Sequence, residues 1–228
     1  MSRILITGSS RGLGRSIALV FAKNNSNVIL HGRNKDSLQD VKSSIMAYDV
    51  DCDVVSGDLV ASDTVNRLLL ISKEKEGIDI LINNAGIYLN KPFLETSMEE
   101  FRKVIETNFM SVVSLTAKLF PIMKSKGSGL IININSLAGK AGSMGESAYC
   151  ASKHALRGFS SSLQFDATKY GIRIVDVYIG AMRTEMAVGR IDRSKFISTD
   201  DAAKSIFDLS KNYKTMRITE MNINRMIY

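Results

Sequence analysis

Tyr149 and Lys153 stand four residues apart in SAYCASK (147–153), a segment that reads as helical. Residues i and i+4 share one helix face. An ammonium beside a phenol stabilises the phenolate and lowers a pKa that is ordinarily about 10. That pairing makes a tyrosine a general acid/base near neutral pH. Ser136 follows the apolar run GLIININ (129–135) and offers a hydroxyl that could hydrogen-bond a substrate oxygen. By itself a Y-x3-K spacing is common on surface helices, and a serine after a strand commonly caps a loop.

A second constellation lies at the start of the chain. The apolar run SRILIT (2–7) leads directly into Thr7-Gly8-Ser9-Ser10-Arg11-Gly12-Leu13-Gly14, where a helix begins. A tight strand-to-helix turn presents backbone N–H groups and the positive helix end to a pyrophosphate. The spacing is G-x3-G-x-G, not the G-x-G-x-x-G of the general dinucleotide fingerprint. The end of the next strand selects the cofactor. An acid there would bond the ribose 2′-hydroxyl of NAD, and an arginine would favour the 2′-phosphate of NADP. His31-Gly32-Arg33-Asn34 contains no acid, and Asp36 falls in the first turn of the following helix. Arg33, with Arg11 from the glycine loop, therefore favours NADP(H), with NAD(H) the alternative.

The elements that would position these groups alternate throughout. Strands are expected at 2–7, 27–31, 51–57, 78–83, 129–135, 172–178 and 216–223. Helices are expected at 12–24, 35–47, 62–75, 147–169 and 200–211, with a long helical stretch from Ser97 to Lys126 broken near Pro121. Near-continuous apolar strands between helices predict a doubly wound, Rossmann-like parallel α/β sheet covered on both faces. The carboxyl ends of the strands then line a single crevice, which brings Ser136 and the glycine loop to the same edge. The 228 residues fit one such domain.

Composition narrows the class. Apolar residues make up 45% and charged residues 23%, ordinary values for a globular protein. No stretch reaches the roughly 18 apolar residues of a membrane span, and the N-terminus does not read as a signal peptide. A cytoplasmic location is the expectation. Cys52 and Cys150 form no metal or disulfide framework and read as packing. The net charge of +7 is scattered, without the clustered stripe of a nucleic-acid binder.

Taken in order, TGSSRGLG (7–14), Asp58-Leu59, NNAG (83–86), Asn108, Ser136 and YCASK (149–153) resemble the short-chain dehydrogenase/reductase family over roughly residues 3–224. The resemblance implies a hydride exchange between a nicotinamide cofactor and a carbonyl or alcohol. Tyr149 would exchange the proton, Lys153 would hold the nicotinamide ribose, and Ser136 would orient the carbonyl. Asn108 would help hold a water linking Lys153 to solvent. Asp58 would contact the adenine beside the Leu59 backbone. Asn84, Ala85 and Gly86 would brace the sheet and line the adenosine ribose.

Where the family carries Pro-Gly, then three residues, then Thr, this chain has Ile179-Gly180-Ala181-Met182-Arg183-Thr184. Thr184 stays in register for the carboxamide, but Ile179 replaces the proline of a loop that packs the nicotinamide. Substrate contacts are expected from loops at 137–145, 87–93 and 184–196, with Met144, Met182, Met186 and Val188 as an adaptable wall or as ordinary packing. A 3-oxoacyl thioester reductase is the specific expectation, and a catalytically silent NADP-binding sensor or scaffold the alternative. Family members commonly form homodimers or homotetramers through helices that correspond here to 97–125 and 147–169.

Overall fold

The computed structural model describes residues 1–74, 77–182, 196–211 and 216–226. The elements run β1 (Arg3–Thr7), α1 (Gly12–Lys23), β2 (Asn27–Gly32), α2 (Lys35–Ile45), β3 (Cys52–Ser56), α3 (Ser62–Lys73) and β4 (Ile80–Asn83). There follow α4 (Met98–Ile105), a π-helical turn (Glu106–Met110), α5 (Ser111–Lys126) and β5 (Gly129–Ser136). The chain continues through α6 (Ser147–Thr168), β6 (Ile172–Ile179), α7 (Thr199–Ser210) and β7 (Glu220–Ile223).

The strands form one sheet in the order β3-β2-β1-β4-β5-β6-β7, and every pairing is parallel. The apolar runs explain the arrangement. Every residue of β1 and β4 is buried, so these strands need cover on both faces. Ile4, Ile6, Val28, Leu30 and Ile132 pack with Ile17 and Phe21 of α1, Leu38 of α2 and Ile206 of α7. Leu5, Ile29, Leu81 and Ile131 pack on the other face with Leu68 of α3 and Leu115 and Leu119 of α5. Fully burying one such side chain contributes about 1.5–3 kcal/mol. Strand order reverses between β1 and its neighbours β2 and β4, so the loops leaving β1 and β4 diverge and open a crevice there.

Two expectations are corrected. The break in the 97–126 helical stretch lies at Glu106–Met110, and Pro121 sits inside a continuing α5. Pro121 and Ala117, four residues before it, are exposed, so the carbonyl deprived of its N–H partner faces water and the helix persists. The last strand is shorter than 216–223, because only 220–223 pair with β6.

Candidate active site

A groove of about 870 Å³ crosses the carboxyl ends of the strands. Gly8, Ser10, Arg11, Gly12, Leu13 and Gly14 line one part of it, with Arg33, Asp58 and Leu59. Asn84, Ala85 and Gly86 line its middle, and Ser136, Tyr149, Lys153 and Ile179 complete it.

The phosphate-loop end is held by β4. Gly8 has φ +66°, and a Cβ there would lie 2.9 Å from the Ala85 Cα, so the loop needs glycine. Asn84 Nδ2 donates to the Thr7 and Gly8 carbonyls at 2.9 and 3.0 Å. Thr7 Oγ1 accepts from the Asn84 and Ala85 amides, both at 3.0 Å. Arg11 and Arg33 are exposed at the rim. Asn34 does not line the groove. Its Oδ1 accepts from the Ser37 amide at 2.8 Å and caps α2. Asp58 accepts from the Val60 amide at 3.0 Å and fixes its own turn. His31 is buried beside them, and that burial pushes its pKa down to about 4.

At the other end, Lys153 Nζ lies 5.9 Å from the Tyr149 ring centroid. It donates to the Ile134 carbonyl at 2.8 Å. Burial lowers the Lys153 pKa to about 8, opposed by the field of Asp176. Ser136 Oγ accepts from the Ala138 amide at 3.2 Å. The hydroxyl proton remains for a substrate oxygen. Tyr88 packs edge-on against Tyr149, centroids 5.1 Å apart, and its hydroxyl donates to Glu146 Oε1 at 2.6 Å.

Asn108 lies behind the groove wall, 1% exposed, rather than on an open helix face. Its Oδ1 accepts from the Ile87 amide at 2.8 Å, and its Nδ2 donates to the Ile87 carbonyl at 2.9 Å and to Ser152 Oγ at 3.1 Å. Both side-chain hydrogens of Nδ2 are thereby used, and Asn108 clamps the β4 loop onto α6. The π-helical turn that carries it is a device often found at functional sites.

Several groups escaped the sequence reading. Glu146, Lys103, Glu106, Asn135 and Arg225 line the groove, whereas Tyr88, which also lines it, belongs to the expected 87–93 loop. For Asn135 there was a signal, a polar residue interrupting the apolar strand GLIININ. For the others nothing in the local pattern separates them from surface residues. Thr184, Met186, Val188 and most of the 184–196 loop lie outside the described residues. Met182 lines the groove, whereas Met144 is almost wholly exposed. Cys150 is buried and Cys52 half-buried, and burial pushes the Cys52 thiol up to about 12.

A nicotinamide dinucleotide fits these features. The glycine loop at the start of α1 gives a phosphate cradle, two exposed guanidiniums suit a further phosphate, and the groove continues to Tyr149 and Lys153. The comparisons agree with this geometry. Dehydrogenase/reductase SDR family protein 7-like of Drosophila melanogaster is 36% identical over 199 residues, 84% of this chain and 60% of the fly protein. Ketoacyl reductase HetN of Nostoc sp. is 33% identical over 225 residues, 96% of this chain and 78% of that protein. This chain thus spans about 60% of the fly relative's length. A metagenomic short-chain oxidoreductase solved in complex with NADP superposes with a TM-score of 0.87 at 26% identity, covering 100% of this chain and 98% of that one. The model of the short chain dehydrogenase family matches residues 2–194, and the chain belongs to that family.

Proposed function

We propose that the protein is an NADP(H)-dependent oxidoreductase that interconverts a small-molecule carbonyl and its alcohol. The observation that carries this reading is the joining of a phosphate cradle and the Ser136, Tyr149 and Lys153 side chains in one groove. Gly8 to Gly14 would hold the pyrophosphate, and Arg11 and Arg33 the 2′-phosphate. Asp58 and Leu59 would border the adenine, and Lys153 would hold the nicotinamide ribose. The bound dinucleotide supplies or accepts a hydride.

The chain's own residues do the rest. Ser136 donates its free hydroxyl proton to the substrate oxygen and orients it. Tyr149 gives that oxygen its proton during reduction and takes it back during oxidation. The Lys153 ammonium stabilises the resulting phenolate. Asn108 keeps the Ile87 loop and α6 in register around the site. The absence of an acid at 31–34 supports NADP over NAD, as does the NADP in the solved relative. A 3-oxoacyl thioester is the favoured substrate class, in line with the ketoacyl reductase name of the Nostoc relative. We assign the protein to the cytoplasm as a single-domain homodimer or homotetramer.

Calorimetric titration with NADPH and with NADH, followed by a carbonyl screen, tests the reading. Tight NADPH binding and turnover that Tyr149→Phe abolishes without weakening NADPH binding is the expected result. Turnover retained by Tyr149→Phe would overturn the proton-donor role. Preference for NADH would overturn the cofactor assignment.

A further inference from the structure

Tyr88 lies against Tyr149, yet the chemistry just described gives it no part. The two rings meet edge-on, with centroids 5.1 Å apart and planes at 81°. The Tyr88 hydroxyl donates to Glu146 Oε1 at 2.6 Å. Glu146 is 8% exposed and immediately precedes α6, and its carbonyl accepts from the Cys150 amide at 2.7 Å. Tyr88 is thus tied by its hydroxyl to the start of the helix whose third residue its ring touches. The backbone on either side of Tyr88 is fixed as well. Asn108 holds both main-chain groups of Ile87. The Lys91 amide donates to the Gly145 carbonyl at 2.7 Å, and Asn90 Nδ2 to the Met144 carbonyl at 3.3 Å. Gly145 has φ +75°, and a Cβ there would lie 3.2 Å from Asn90 Oδ1, so the loop after β4 and the loop before α6 meet closely.

We propose that Tyr88, anchored by Glu146, is a positioning residue that fixes the orientation of the Tyr149 ring. A general acid must hold its proton within hydrogen-bond reach of the reacting oxygen. The helix backbone alone does not ensure this, because the Tyr149 side chain still turns about its own torsions. Edge-on aromatic contact favours one relative orientation of two rings, but only a neighbour that is itself held can impose it. Tyr88 is held at its hydroxyl by Glu146 and at its backbone through Ile87. Both Tyr88 and Glu146 border the groove, so the brace stands at the site itself. The part given to Tyr149 rests on the proposed function, but the motion of its ring is measurable without turnover.

The test is 13C relaxation on protein carrying ring-labelled tyrosine, with the Tyr149 signal assigned by its loss in Tyr149→Phe. Tyr88→Phe keeps the packed ring and removes its anchor, and the order parameter of the Tyr149 ring should fall. The kcat for carbonyl reduction should fall with it by about tenfold, short of the roughly 100-fold that a 1 Å misplacement can cost, while KM for NADPH changes less. Glu146→Ala should act in the same way, and the double variant should be no worse than either single change, since both break one bond. Glu146→Gln keeps an oxygen to accept that bond and should lose less than Glu146→Ala. If Glu146→Ala does not fold, Tyr88→Phe, which removes only a hydroxyl, still decides the point. An unchanged Tyr149 order parameter in Tyr88→Phe overturns the inference, and so do additive losses in the double variant. If the wild type turns over no carbonyl while the Tyr149 ring still loosens in Tyr88→Phe, the proposed function fails and the brace stands.

Discussion

Replacing Asn108 by alanine should be among the most damaging single changes near the site, and its cost can be worked from the hydrogen bonds. Asn108 is buried and serves three groups: the Ile87 amide, the Ile87 carbonyl and Ser152 Oγ. Ser152 keeps a partner, because its hydroxyl donates to the Tyr149 carbonyl at 2.7 Å, so its loss is small. Ile87 has no such reserve, and both of its main-chain groups lose the partner that Asn108 provides. A buried polar group left unpaired costs about 1–3 kcal/mol. Because Ile87 is only half-buried, two such losses give a destabilisation toward the low end of about 2–6 kcal/mol, still a sizeable part of the roughly 5–15 kcal/mol that holds a domain folded. Urea unfolding of wild type and Asn108→Ala measures it. Because Ile87 borders the groove, NADPH affinity should fall as well. A loss below about 1 kcal/mol would refute the reasoning, since it would mean that water replaces the side chain at no cost.

Other outcomes follow from individual groups. Arg33→Ala should weaken NADPH binding roughly tenfold, the scale of one exposed charge-assisted bond, and leave NADH binding unchanged by calorimetry. Equal loss for both would remove Arg33 from the 2′-phosphate. His31 has its pKa depressed from 6.5 to about 4 by burial. The unfolded chain therefore takes up a proton that the folded one refuses, and His31 costs stability as pH falls from about 6.5 toward 4. The full effect is about 3 kcal/mol, and His31→Gln should flatten that part of the stability-pH curve measured by denaturant. The Cys52 thiol, pushed up to about 12, should resist iodoacetamide at pH 8 in folded protein and react on unfolding. Fast alkylation in the native state would contradict its burial.

What could be read from the sequence, and what could not, separates by the range of the interactions involved. The strands at 3–7, 80–83 and 129–136 were legible because each is an apolar run that needs cover on both faces. The glycine loop was legible because Gly8 answers a local backbone demand, a positive φ. The helix break was misplaced because Pro121 is visible in the sequence while the π-helical turn is not. That turn holds Asn108, whose bonds to Ile87 and Ser152 join segments 21 and 44 residues away. Asn135 stood in view as a polar residue inside an apolar strand. Its place in the groove depends on where β5 lies in the sheet, which the run of residues does not state. The reach of Arg225 into the groove likewise depends on β7 pairing with β6.

The packing of α7 against α1 bears on how the chain reaches its native state. Ser16 donates to Asp200 Oδ1 at 2.7 Å, and the Phe21 and Phe207 rings meet edge-on at 5.1 Å. Ile17 and Phe21 share their core with Ala202, Ala203, Ile206 and Leu209. Helix α1 is thus covered by α7, and Ser16 and Asp200 stand 184 residues apart in sequence. Until α7 arrives, the apolar stripe of α1 has only α2 and the sheet to shield it. Contacts of such long sequence separation slow folding and prolong the exposure of sticky intermediates. Nascent chains stalled before Thr199 should therefore engage chaperones and aggregate on release, although every strand from β1 to β6 has already been made.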